Sequence, residues 1–260
     1  EKVIIHYIIY PIILYNKMSC QCEFSNESFM EYIKKLRKKH KNKNYNFKQS
    51  EIIEFMTLHL RDNTKMKNLI TKKSVSLQEM KMLSTKCCGI VNLELTGSGE
   101  VKKNKLILHL NNNNIFLNLR NKIPNADADM SRKIVWHMHP WNISVDHEDD
   151  APSFFSYEDI RISVNFPEKI FIIFNMHVDN PKIPVIYVVT ADDDVKKNKA
   201  KKAIEKMYIE VYEKLVDHKN YKINLPKIKK DLKQVGVNFY YLMRYDEKSL
   251  VKIITEHCNK

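Results

Sequence analysis

Glycine is nearly missing from this chain, with 4 among 260 residues, and proline contributes only 8. That scarcity excludes collagen-like and low-complexity architectures. Cysteine is sparse and irregularly placed: of 5 residues, Cys20 and Cys22 form a lone CxC, and no CxxC pair occurs. A zinc ribbon or thioredoxin-type site is therefore not expected, and a reducing compartment is the simpler setting. No apolar run reaches the roughly 20 residues of a membrane-spanning helix. The stretch 3–14 is interrupted by His6 and Pro11. It also lacks the basic n-region and small-residue cleavage site of a secretory signal, and reads as a strand or arm packed on this protein or a neighbour.

What is present is enough to build a core. Hydrophobic residues make up 43% and aromatics 10%, which excludes full disorder. The length suits one large domain, or a medium domain with an extension. Lys and Arg number 44 against 31 Asp and Glu, a formal net charge of +13, which draws a protein towards polyanions such as nucleic acid, acidic protein surfaces or anionic lipid. Heavy use of Lys, Asn and Ile also suggests an AT-rich genome, so the charge by itself identifies no partner.

Two segments carry helical periodicity in residues 25–60. Ser25 or Asn26 can cap a segment with Phe29, Ile33 and Leu36 on one face, and Ser50 can cap another with Ile52, Ile53, Met56 and Leu60 inward. Between them residues 37–48 are basic and Asn-rich. They read as a solvated helix end and loop, or as a nucleic-acid contact in which Tyr45 and Phe47 stack on bases. From residue 76 the texture changes. A short helix is expected at 76–83, then strands at 87–95, 105–110, 115–120 and 134–138, with Gly97-Ser98-Gly99 and 111–114 as turns. A helix follows at 156–164, strands at 170–176 and 185–190, a long helix at 195–219, a strand at 237–245 and a terminal helix. The expected layout is a basic, mainly helical extension over 1–75 and an α/β domain with a mixed sheet over 76–260.

The chemistry concentrates in residues 136–159. His137 and His139 stand two apart at the end of an apolar run, so on a strand both imidazoles share a face while Met138 turns into the core. Zinc favours such nitrogens together with a carboxylate, and a catalytic site uses three protein ligands and leaves a fourth position open. Asp159, in the first turn of the next expected helix, is a candidate third ligand, and Ser156 at its cap can point its hydroxyl into the same site. Trp136 and Trp141 flank the pair and are expected to wall it. The alternative is that the two histidines are ordinary strand residues and that Ser156 with Asp159 is only a helix cap.

His137-Met138-His139-Pro140 followed by Ser156-Tyr157-Glu158-Asp159 resembles the HxHP…SxxD motif of the JAMM (MPN-type) zinc metallopeptidases. The resemblance covers roughly 80–190, and 190–260 more loosely. It implies a cytidine-deaminase-like mixed sheet flanked by helices, with zinc held by His137, His139 and Asp159. It further implies that Ser156 stabilises the oxyanion and that an upstream Glu activates water. The family cleaves isopeptide bonds of ubiquitin-like modifiers, or small peptide-like amides in prokaryotic relatives, so a ubiquitin-like protein is the implied partner and an intracellular, cytoplasmic setting the implied place.

Two departures accompany it. Ser156 follows His139 by 17 residues, a longer interval than the family uses. The insert carries rival ligands in Asp146, His147, Glu148, Asp149 and Asp150, and a rival serine in Ser153. The family's base stands three residues before a strand glycine. Taking Cys87-Cys88-Gly89-Ile90-Val91 as that strand puts Lys86 in the position, and a lysine cannot accept a proton at neutral pH unless its pKa is strongly depressed. Glu79, Glu94 and Glu100 are the nearest acids. Glu94 lies on the same expected strand but at its far end, and is taken as the catalytic Glu. Lys86 favours a second reading: an inactive JAMM-fold scaffold or assembly protein, for example within a virus particle. A third is nucleic-acid binding through 37–48 and 196–202, which predicts steep salt dependence.

Overall fold

The computed structural model describes residues 72–86, 93–94, 96–110, 116–117, 130–139, 157–175, 184–217 and 223–258, together with Glu31, Lys34, Lys35, Lys38, Lys39, Asn68 and Leu69. These form a seven-stranded mixed sheet with helices on both faces, so the α/β class expected from the sequence holds. The strands are β1 (Ser74–Ser76), β3 (Thr96–Lys102), β4 (Lys105–Leu110), β6 (Ile134–His139), β7 (Ile170–Asn175), β8 (Ile186–Ala191) and β9 (Val237–Leu242). Their order across the sheet is β1-β4-β3-β6-β7-β8-β9, and a separate two-stranded ladder joins β2 (Leu93–Glu94) to β5 (Phe116–Leu117). Among the described strands only β6 and β7 pair in parallel. A parallel pair needs a crossover, and α2 (Tyr157–Asn165) lies within it.

Strand alternation sorts the core into two layers. Ile134, Trp136 and Met138 of β6 pack with Leu77, Met80 and Leu83 of α1 (Leu77–Lys86) and with Leu250, Val251 and Ile254 of α5 (Glu247–Cys258). Val135, one residue out of phase, packs with Ile160 and Val164 of α2, Ala200, Ile204 and Met207 of α3 (Lys197–Asp217), and Leu225, Ile228 and Leu232 of α4 (Leu225–Lys233). β7 and β8 are buried along their whole length, as apolar runs covered on both faces should be.

Local chemistry starts the helices. Ser76 and Glu79 form a capping box at α1: the Glu79 amide donates to Ser76 Oγ at 3.3 Å and the Ser76 amide to Glu79 Oε2 at 2.9 Å. Asp246 accepts from the Ser249 amide at 3.2 Å ahead of α5, and Asn224 from the Lys227 amide at 3.0 Å ahead of α4. β1 straddles residues 75 and 76, and Leu69 is buried in the layer beneath α1, so the sheet domain draws on both sides of the compositional boundary.

One sequence expectation is corrected by β3. Gly97-Ser98-Gly99 is the strand beside β6, not a turn; the turn is Lys103-Asn104, with φ of 49° and 58°, a two-residue hairpin with both central residues left-handed. The glycines lie where β6 places its largest side chains. A Cβ at Gly97 would stand 1.9 Å from the His109 carbonyl oxygen and 2.8 Å from the Trp136 ring. Trp136 is fully buried over this bare strand, its indole N–H donating to the Ser98 carbonyl at 2.9 Å. α4 is an element the sequence reading passed over, although the Asn224 cap, Pro226 in the first turn and Leu225, Ile228 and Leu232 at helical spacing signal it.

Candidate functional site

β6 delivers His137 to the carboxyl end of the parallel pair, where open α/β sheets gather ligands. Its side chain shares the face of Val135, beneath α2. The helix is held there by Ile160 and Val164 in the core and by Tyr157 packing against Tyr208 of α3, ring centroids 6.3 Å apart. Asp159 is the third residue of α2, where a carboxylate is favoured by the exposed amides and dipole of the first turn. The two halves of the motif meet: His137 Nε2 lies 3.0 Å from Asp159 Oδ1, with side-chain exposures of 16% and 11%. Two bonds of about 2.0–2.2 Å from a tetrahedral zinc to His nitrogen and carboxylate oxygen hold their donors roughly 3.3 Å apart. The pair therefore fits such an ion after a shift of a few tenths of an ångström.

The sheet register supplies the neighbours. His137 is opposite Thr96 on β3 and Ile173 on β7, and His139 is opposite Asn175. Asn175 is buried, its amide donating to the Pro184 carbonyl at 2.8 Å. Thr96 is 3% exposed, and its hydroxyl has no hydrogen-bond partner among the described residues. An orphaned buried hydroxyl beside a mostly buried imidazole–carboxylate pair is a second mark of a site that fits a ligand.

No family model matches the chain, and neither does any curated protein or solved structure.

His139 closes β6, but its side chain, Ser156, Trp141, Ser153 and the rival ligands Asp146, His147, Glu148, Asp149 and Asp150 lie outside the described residues. Among the described residues no three His, Cys, Asp or Glu side chains converge as a metal group. Trp136 does not wall this pair. It sits on the opposite face, edge-on to Phe174 at 6.0 Å, because it is one residue out of phase with His137.

The backbone also places Lys86 and the nearby acids. Lys86 is the last residue of α1 and not part of the strand beside β6. The strand that does flank β6 carries Gly97, and Glu94 stands three residues before it. Thr96 pairs with His137, so Glu94 approaches the histidine end of β6 and not its far end. Cα atoms of β2 come within 8 Å of β6. Glu100 belongs elsewhere: it meets His109 Nε2 at 3.0 Å and Lys102 Nζ at 2.9 Å. The Lys102 ammonium first, then His109, holds its carboxyl below the ordinary Glu range. Glu79 is committed to Lys72 and the α1 cap, which likewise lower its pKa. The spacing of Glu94 three residues before Gly97 is hidden when the glycines are read as a turn.

Among the described residues no helix is long and apolar enough to cross a membrane. The segment 37–48 falls almost wholly outside the description, whereas Lys196, Lys197, Lys199 and Lys202 at the start of α3 are exposed.

Proposed function

We propose that this chain is a JAMM-like zinc metallopeptidase domain that cleaves isopeptide bonds of ubiquitin-like modifiers. The observation that carries the reading is the 3.0 Å approach of His137 to Asp159, which joins the HxH strand to the SxxD helix in the way the family's motif requires. His137 and Asp159, with His139 as third ligand, would hold the ion. Bound zinc supplies Lewis acidity, polarising a scissile carbonyl and making water a nucleophile near neutral pH.

The chain's own residues do the rest. Glu94, three residues before Gly97, takes the proton from the attacking water and returns it to the leaving amine. Ser156, ahead of α2, donates to the oxygen on which charge develops. Lys86, the lysine that favoured an inactive scaffold, ends α1, and in this reading the base is Glu94 and not Lys86. The test is cleavage of a ubiquitin dimer by the zinc-loaded chain. Glu94→Gln should abolish turnover while zinc stays bound, and Lys86→Ala should not. Equal cleavage by Glu94→Gln and the unaltered chain would overturn the assignment of the base. No cleavage of any modifier by a zinc-loaded chain would overturn the peptidase reading.

A further inference from the structure

Thr96 is the residue directly across the antiparallel β3–β6 pair from His137. Directly opposed residues share a face, with Cβ atoms about 4.5–5.5 Å apart. The hydroxyl oxygen is one bond from its Cβ and the imidazole Nδ1 two bonds from its own, so side-chain rotation alone can bring them into hydrogen-bond reach. The outer ring nitrogen, Nε2, faces Asp159, which leaves Nδ1 as the nitrogen nearer the strand. Thr96 is buried, and its Oγ1 is without a partner among the described residues. Such a group is costly unless something completes it. Metal-ligating histidines nearly always donate their second ring N–H to an acceptor, which fixes the tautomer and the ring plane.

We infer that Thr96 is a positioning residue for His137: its hydroxyl accepts the Nδ1–H when the His137–Asp159 pair takes up a divalent metal. The inference rests on the metal reading above and adds to it a residue outside the HxHP and SxxD motifs. It gives the buried hydroxyl opposite signs in the two states, a liability in the metal-free chain and a support in the loaded one.

The experiment uses the full chain in three forms: unaltered, Thr96→Val and Thr96→Ser. Two readouts are taken: zinc affinity by competition with a chromophoric chelator, and the thermal midpoint of the metal-free protein. Thr96→Val should bind zinc about 10- to 100-fold more weakly, with a metal-free midpoint equal to or above that of the unaltered chain. Thr96→Ser, which keeps the hydroxyl, should restore the affinity. Equal zinc affinity in Thr96→Val overturns the role of Thr96 and leaves the metal site standing. A lowered metal-free midpoint in Thr96→Val would show that the hydroxyl already has a structural partner, and also overturns it. Absence of zinc binding by the unaltered chain overturns the metal reading and this inference together.

Discussion

His137 and Asp159 are 22 residues apart in the chain and 3.0 Å apart in space, nitrogen to oxygen, across the junction of β6 and α2. That closeness follows from topology. A strand, a crossover helix and a parallel strand put the end of the first strand beside the start of the helix, and a carboxylate is welcome in that first turn. A site built this way predicts its own sensitivities.

Glu94→Gln should keep zinc and lose turnover by about 100-fold or more, the usual contribution of a positioned general base. Lys86→Ala should change neither. Steady-state kinetics beside metal analysis separates the two variants, and loss of activity in Lys86→Ala with zinc still bound would contradict a site that does not use Lys86.

Gly97→Ala should destabilise the fold by about 1–3 kcal/mol or more, the range for overpacking a tight site. The new Cβ would meet a backbone oxygen at 1.9 Å as well as the Trp136 ring, and backbone cannot turn aside as a side chain can. Urea denaturation checks this. An unchanged midpoint would mean that β3 and β6 do not pack as described.

Glu79→Ala removes the capping box of α1 and the Lys72 partner, and should cost about 1 kcal/mol near neutral pH. Lys72 and the Ser76 backbone lower the Glu79 pKa in the folded chain. Its charge therefore stabilises the fold above the unfolded value of about 4.3. That part is lost as pH falls through the lowered folded value. The gap between variant and unaltered chain should narrow in acid when followed by thermal unfolding. A gap independent of pH would assign the whole effect to neutral capping.

Asn224→Ala should likewise cost about 1 kcal/mol, because its side chain caps α4 at the Lys227 amide, 3.0 Å away. Since α4 covers Val237 and Phe239 in the outer layer, the loss should appear as faster amide exchange along α4.

The sequence made the histidine strand and the Asp159 helix legible because both rest on local periodicity: alternation in β6, and an acidic first turn before Ile160 and Val164 in α2. Gly97 and Gly99 were misread because glycine is a turn residue by local rule. Here it is demanded by Trp136 and Ile134, some 35–39 positions downstream, and no local window contains that information. The same turn reading hid the three-residue spacing of Glu94 and Gly97. Trp136 was placed at the site by adjacency in sequence, although the alternation that groups His137 with Val135 sends Trp136 to the other layer. Thr96 had no signal of its own; only register makes it the neighbour of His137.

The most direct measurement is zinc content per chain of protein purified after zinc-replete expression, beside His137→Ala. A site with His137, His139 and Asp159 as ligands predicts about one zinc per chain in the unaltered protein, and its loss in the variant. A zinc-free unaltered protein, or equal zinc in both, would contradict the account at its centre.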